Sequence, residues 1–174
     1  TPAQQRCFER IGELFAGKDV VLLHGVTGSG KTEIYIRLIA EELRAARNVL
    51  YMLPEIALIA QLIGRMRDRF GDAVIVYHSR LTDNRRADVY RRLIGGSGGR
   101  LVVGVRSSVL LPLPLLSLVI VDEEHENSFK QADSAPRYHG RDTAVMLAAL
   151  CGAKTLLGSA TPSVESYFNA ATGK

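Results

Sequence analysis

Six apolar, largely β-branched runs recur along the chain, at residues 20–23, 49–53, 74–77, 101–103, 118–121 and 155–157. They do not alternate with polar residues, which is the pattern of strands covered on both faces. The stretches 32–46, 58–70 and 83–94 instead carry apolar residues at helical spacing with charges on the remaining positions, as amphipathic helices do. Strand and helix patterns that alternate in this way predict an α/β fold with a mainly parallel sheet and helices on both faces. Thr1 and Pro2 read as the cap of an opening helix from Gln4 to about Ala16 that Gly17 ends, and Gly95-Gly96-Ser97-Gly98-Gly99 reads as a flexible surface loop.

Composition narrows the class. With 174 residues, 47% hydrophobic content and six prolines, one compact domain with its own core is expected. No apolar run approaches the roughly 18 residues of a membrane span and no signal-peptide pattern is present, so a cytoplasmic location is expected. A net charge of +4 suits a polyanionic partner without demanding one. Cys7 and Cys151 are far apart and lack metal-ligand spacing, which predicts free, buried thiols. His24, His78, His125 and His139 do not build a ligand set, and no zinc is expected.

The chemistry starts after the first strand. Gly25-Val26-Thr27-Gly28-Ser29-Gly30-Lys31-Thr32 satisfies the GxxxxGK[ST] phosphate loop in its required strand-loop-helix setting. Glycines let backbone N–H groups converge on phosphate oxygens, and the following helix adds positive potential at its N-terminus. Lys31 is assigned to the β- and γ-phosphates of a nucleoside triphosphate, and Thr32 to magnesium. A second site follows the strand at 118–121, where Asp122-Glu123-Glu124-His125 sits at the carboxyl end of a buried strand, the edge where open α/β sheets bind ligands. Asp122 is expected to hold the magnesium, commonly through water, and Glu123 to orient or deprotonate the attacking water. A kinase has no need of that second carboxylate.

Asp122-Glu123-Glu124-His125 resembles the D-E-x-H box of superfamily 2 helicases, and Gly158-Ser159-Ala160-Thr161-Pro162 resembles their S-A-T motif. Together with Leu53-Pro54-Glu55-Ile56, His78-Ser79, Gly104-Val105-Arg106-Ser107 and the phosphate loop, the chain is similar to the first RecA-like motor lobe of the PriA family. Ser128-Phe129-Lys130-Gln131 and Arg137-Tyr138-His139-Gly140-Arg141-Asp142 resemble that family's aromatic-rich loop. The resemblance implies a RecA-like P-loop NTPase domain within an ATP-dependent 3′ to 5′ DNA helicase that acts at abandoned forks in the bacterial nucleoid. It implies as partners single-stranded or forked DNA, the primosome, single-strand-binding protein and a second lobe of the same parent.

The resemblance also assigns roles. Gln4, with Gln5 as a substitute, reads adenine. His125, Ser159 and Thr161 carry nucleotide state toward DNA, while Pro54, Glu55, Arg106, Ser107, Phe129, Lys130, Arg137 and Tyr138 face the strand. Aromatics interleaved with cations suit stacking on bases and neutralisation of phosphates. The S-A-T segment also reads as a helix cap, through Thr161-Pro162-Ser163. Where the family has Thr after Leu58, this chain has Ile59, so one hydroxyl contact is missing. A fragment of a longer protein is expected, lacking the second lobe and nearly inactive alone. Two alternatives stand beside this reading: a translocase lobe of a restriction-type enzyme, which would lack the aromatic-rich loop, and a non-catalytic ATP-binding scaffold, which would be expected to lose Lys31 or Glu123.

Overall fold

The computed structural model describes residues 1–54, 56–96, 98–131 and 135–173, with the side chains of 56–59 outside that description. Glu55, expected at the DNA-facing edge, and the Ile59 side chain therefore lie outside the described residues, as does Ser97 of the glycine-rich loop.

Six strands, β1 (Val20–His24), β2 (Asn48–Met52), β3 (Val74–Tyr77), β4 (Leu101–Gly104), β5 (Leu116–Asp122) and β6 (Lys154–Ser159), form one sheet in the order β1-β6-β5-β2-β4-β3. Every pairing is parallel. Six helices connect or flank them: α1 (Pro2–Phe15), α2 (Lys31–Arg44), α3 (Ile56–Phe70), α4 (Asp83–Ile94), α5 (Gly140–Cys151) and α6 (Val164–Thr172). Thr1 caps α1, accepting from the Gln4 amide while the Gln4 side chain reaches back to the Thr1 amino group.

The period-two alternation of each strand divides its side chains between two cores. Val49, Tyr51, Leu118 and Ile120 pack with Ile11 of α1, Ile34, Tyr35 and Ile39 of α2 and Met66 of α3. Leu50, Met52, Val119 and Val121 pack on the opposite face with Val89 and Leu93 of α4 and Ala144 and Ala148 of α5. Because both faces are covered, β2 is buried at all five positions, which is why its sequence shows no polar alternation.

All-parallel pairing sends every strand's carboxyl end to the same edge of the sheet. Since β1, β6 and β5 are neighbours, the phosphate loop, the S-A-T segment and the acidic box emerge side by side. The turns after β2 and β4 emerge further along that edge.

β3 matches its expected run, β2 lies one residue earlier than expected, the other four strands extend theirs by one or two residues at one or both ends, and α5 appears where the sequence pattern marked no helix. The segment from Ala144 to Leu150 is apolar nearly all round, so it offers no polar stripe to betray a helical period. Among the thiols, Cys7 is half-buried but Cys151, at the end of α5, is exposed rather than buried.

Candidate functional site

β1 runs directly into the phosphate loop, and the loop's start is stitched to β6 by the Gly25 amide donating to the Ser159 carbonyl at 3.0 Å. The loop turns back into α2 at Gly30, whose φ of +88° lies in the left-handed region that side chains resist. The end of the Gln4 side chain packs over Gly30, where a Cβ would stand 2.0 Å from Gln4 Nε2. Gln4 thus lies against the loop, whereas Gln5 is exposed and donates to Glu9 at 2.5 Å. Of the two glutamines, Gln4 alone has this contact with the phosphate loop.

Lys31 opens α2 and is 8% exposed. Its Nζ donates to the Gly25 carbonyl at 2.7 Å and stands 3.7 Å from Glu123 Oε1. Lysine and carboxylate face each other across a cleft of about 320 Å³, lined further by Thr27, Gly28, Thr32 and Asp122. Val26 and Ser29 are exposed at the crest of the loop. The cleft fits a polyphosphate with a hard cation, because it pairs backbone donors and an ammonium with the carboxylates of Asp122 and Glu123 and the hydroxyl of Thr32. A magnesium ion there would need oxygen ligands beyond phosphate and water, which Thr32 and Asp122 could supply.

Asp122 ends β5. Burial pushes its carboxyl above the usual range, and hydrogen bonds from the hydroxyls of Tyr35 and Tyr51 oppose that rise. Glu123 then adopts φ +49°, a left-handed conformation that costs a non-glycine residue on the order of 1–3 kcal/mol. That turn takes the chain out of the strand at the point where its carboxylate faces Lys31.

Glu124 turns the other way and is fully buried. Its carboxylate accepts from Arg141 Nη1 at 2.8 Å, the Ser163 amide at 2.7 Å and Ser166 Oγ at 2.8 Å. Arg141 also reaches Asp142 at 2.8 Å and Glu165 at 3.0 Å. This network ties the acidic box to α5 and α6, and the sequence reading gave Glu124 no role in it.

His125 joins the two motifs. Its Nδ1 shares a hydrogen bond with Ser159 Oγ at 2.8 Å, and its Nε2 shares one with Thr161 Oγ1 at 3.3 Å. The Thr161 amide closes the triangle by donating to Ser159 Oγ at 3.0 Å. The cap of α6 is Ser163, whose side chain accepts from the Ser166 amide.

Further along the edge, Pro54 follows β2, and Arg106 and Ser107 begin a 3-10 turn, Arg106–Leu110, after β4. The aromatic-rich segment is held by an antiparallel bridge between Lys130 and His139 and by the Gln131 amide donating to the Tyr138 carbonyl at 2.9 Å. One expectation needs correction. Phe129 is fully buried and packs in the core beside Val121 and Ala144, so it anchors the segment and has no face free to stack on a base. Arg106 Nη1 reaches that segment too, donating to the carbonyls of Ser128 at 3.2 Å and Lys130 at 2.8 Å, with the Tyr138 ring 6.0 Å away. Through that nitrogen it braces the loop. Lys130 and Arg137 are exposed and Tyr138 is half-buried. Ser107 Oγ is buried without a partner among the described residues.

The DEAD/DEAH box helicase family profile matches residues 1–169. The chain is similar to replication restart protein PriA of Synechocystis sp., at 46% identity over 96% of this chain and 20% of that protein. It is similar also to the PriA of Bacillus subtilis, at 43% identity over 99% of this chain and 22% of the relative. It therefore spans about a fifth of the length of the curated relatives it matches. Among solved structures, RecG bound to a three-way DNA junction superposes with a TM-score of 0.71 at 24% identity, over 99% of this chain and 22% of that one. Mycobacterium smegmatis Lhr bound to single-stranded DNA and AMP-PNP gives 0.66 at 22% identity, over 95% and 23%. These structural likenesses concern the fold. Among the described residues no helix is long and apolar enough to cross a membrane.

Proposed function

The chain belongs to the DEAD/DEAH box helicase family, and from that premise we propose that it is the ATP-binding first lobe of a DNA-dependent helicase acting in replication restart. The observation that carries the ATPase reading is the meeting of Lys31 and Glu123, 3.7 Å apart, across a cleft floored by the phosphate loop and bordered by Asp122. The DNA and replication-restart parts lean on the similarity to the PriA proteins and on the aromatic-rich segment.

Lys31 moves from the Gly25 carbonyl onto the β- and γ-phosphates, exchanging a neutral acceptor for a charged one. Thr32 and Asp122 hold magnesium, which when bound neutralises charge on the phosphoryl oxygens. Glu123 orients the attacking water and takes its proton. Gln4, already against the loop, reads the adenine. His125 passes the state of the hydrolysis site to Ser159 and Thr161, and so to the edge that carries Pro54, Ser107, Lys130, Arg137 and Tyr138. Lys130 and Arg137 supply sequence-independent phosphate contacts, while Arg106 and Phe129 hold the loop that presents them. A second lobe supplies the arginine that completes catalysis, a contribution of about 10³–10⁵ in rate.

Nucleotide titration of two variants tests the core of this reading. Lys31→Ala should lose tight ATP binding, because it removes phosphate charge, and Glu123→Gln should bind ATP and fail to turn it over in the parent protein. A Glu123→Gln parent that hydrolyses ATP at the unaltered rate would remove Glu123 from the mechanism.

A further inference from the structure

Two buried phenols aim at the acidic box from outside every motif described so far. Tyr35 lies one turn beyond Lys31 on α2 and Tyr51 lies within β2, and neither is exposed to solvent. Their rings meet edge to face with centroids 5.6 Å apart. Tyr35 Oη donates to Asp122 Oδ1 at 3.0 Å and Tyr51 Oη donates to Oδ2 at 3.1 Å, and the Glu123 amide adds a weaker donor to Oδ1 at 3.2 Å. Each carboxylate oxygen is thus gripped from a different rigid element.

The space for this grip is built into the sheet. Gly158, the β6 neighbour of Asp122, passes so close to Tyr35 that a Cβ there would fall 1.8 Å from the hydroxyl. Core packing alone does not explain the two hydroxyls, since phenylalanine would fill the same volume. A buried hydroxyl needs a partner, and here both converge on one carboxylate. With a phenol on each oxygen, rotation of the carboxylate about its χ2 would break both phenol bonds, while each oxygen keeps a lone pair for a ligand on its open side.

We propose that Tyr35 and Tyr51 are positioning residues that lock the Asp122 carboxylate in the orientation that receives the magnesium of bound nucleotide. The proposal rests on the ATP-magnesium reading of the cleft. The phenols do not touch the ion. They act as partners of its ligand, a role whose loss typically costs about 10–100-fold in metal affinity.

The test uses Tyr35→Phe, Tyr51→Phe and the double variant, each of which keeps the ring and deletes only the hydroxyl. Binding of a fluorescent ATP analogue is followed across a Mg²⁺ titration and in EDTA, with thermal melts on the same samples. The half-saturating Mg²⁺ concentration should rise about tenfold or more in each single variant and further in the double variant. Affinity in EDTA should stay within about twofold of the unaltered protein, because the phosphate loop and Lys31 are untouched. Asp122→Asn marks complete loss of the Mg²⁺ dependence. A purely structural role would lower the melting temperature and leave the Mg²⁺ midpoint in place, and an unmoved midpoint in the folded single variants overturns the proposal. If the unaltered protein binds the nucleotide with no Mg²⁺ dependence, the ATP-magnesium reading itself falls, an outcome distinct from a normal dependence that the tyrosine variants fail to shift.

Discussion

Arg141→Met isolates the charge that neutralises Glu124 while keeping most of the side chain's bulk. Glu124 is wholly buried, and without the guanidinium 2.8 Å away its negative charge would retain only the Ser163 amide and the two serine hydroxyls. Breaking one side of a buried pair leaves an uncompensated charge and costs about 3–5 kcal/mol. For a chain of this size that corresponds to a fall in Tm of about 6–20 °C, at roughly 2–4 °C per kcal/mol.

The loss should depend on pH with a definite sign. In the intact protein burial pushes the Glu124 carboxyl up, but the Ser163 amide, Arg141 and Ser166 outweigh it and hold the carboxyl below its ordinary value. Its stabilisation is therefore present above the unfolded pKa of about 4.3 and is lost as pH falls through the lower folded value. In Arg141→Met burial prevails, the folded pKa rises above the unfolded one, and protonation relieves the strain as pH falls. The deficit should be widest near neutrality and narrow toward about pH 5. Glu124→Gln leaves Arg141 with Asp142 and Glu165, so it should cost about 1–2 kcal/mol, and combined with Arg141→Met it should recover part of the loss. Thermal and urea unfolding at several pH values measure all of this. A deficit below about 1 kcal/mol at neutral pH, or one that does not change with pH, would refute the reasoning.

Other outcomes follow from the same geometry. Replacing Lys130 and Arg137 together with alanine should weaken single-stranded DNA binding without sequence preference and reduce the log–log salt slope by about one per cation, checked by fluorescence anisotropy over a salt series. Arg106→Ala should loosen the aromatic-rich segment it braces, so limited proteolysis should cut near Ser128–Gln131 faster, while nucleotide affinity stays unchanged. His125→Ala should leave ATP binding intact and lower DNA-stimulated turnover in the parent protein, since it severs the links to Ser159 and Thr161, and a steady-state ATPase assay with and without DNA reads that split. On the proposed two-lobe reading the 174 residues alone should release phosphate at close to background rate even with DNA, because an arginine finger is worth about 10³–10⁵ in rate, and a phosphate-release assay with and without DNA checks it.

The alternation of strands and helices, the parallel sheet, the phosphate loop and the acidic box are all legible along the chain. Each depends on local rules: buried β-branched runs, helical periodicity, and glycines where backbone must turn toward phosphate. Lys31 and Asp122 were legible because loop and box each sit at the end of an apolar strand, where open α/β sheets gather ligands. Helix α5 was not, since its apolar residues run around the whole cylinder and erase the periodic signal. Nor were the partners of the acidic box. Tyr35 and Tyr51 look like ordinary core aromatics until the order β1-β6-β5-β2 brings α2 and β2 to opposite oxygens of Asp122. Phe129 and Arg106 have the residue types of a DNA surface, and only packing assigned one to the core and the other to the loop's own carbonyls. Which atoms meet across 71 or 87 residues of chain depends on strand order and register, and no local pattern records that choice.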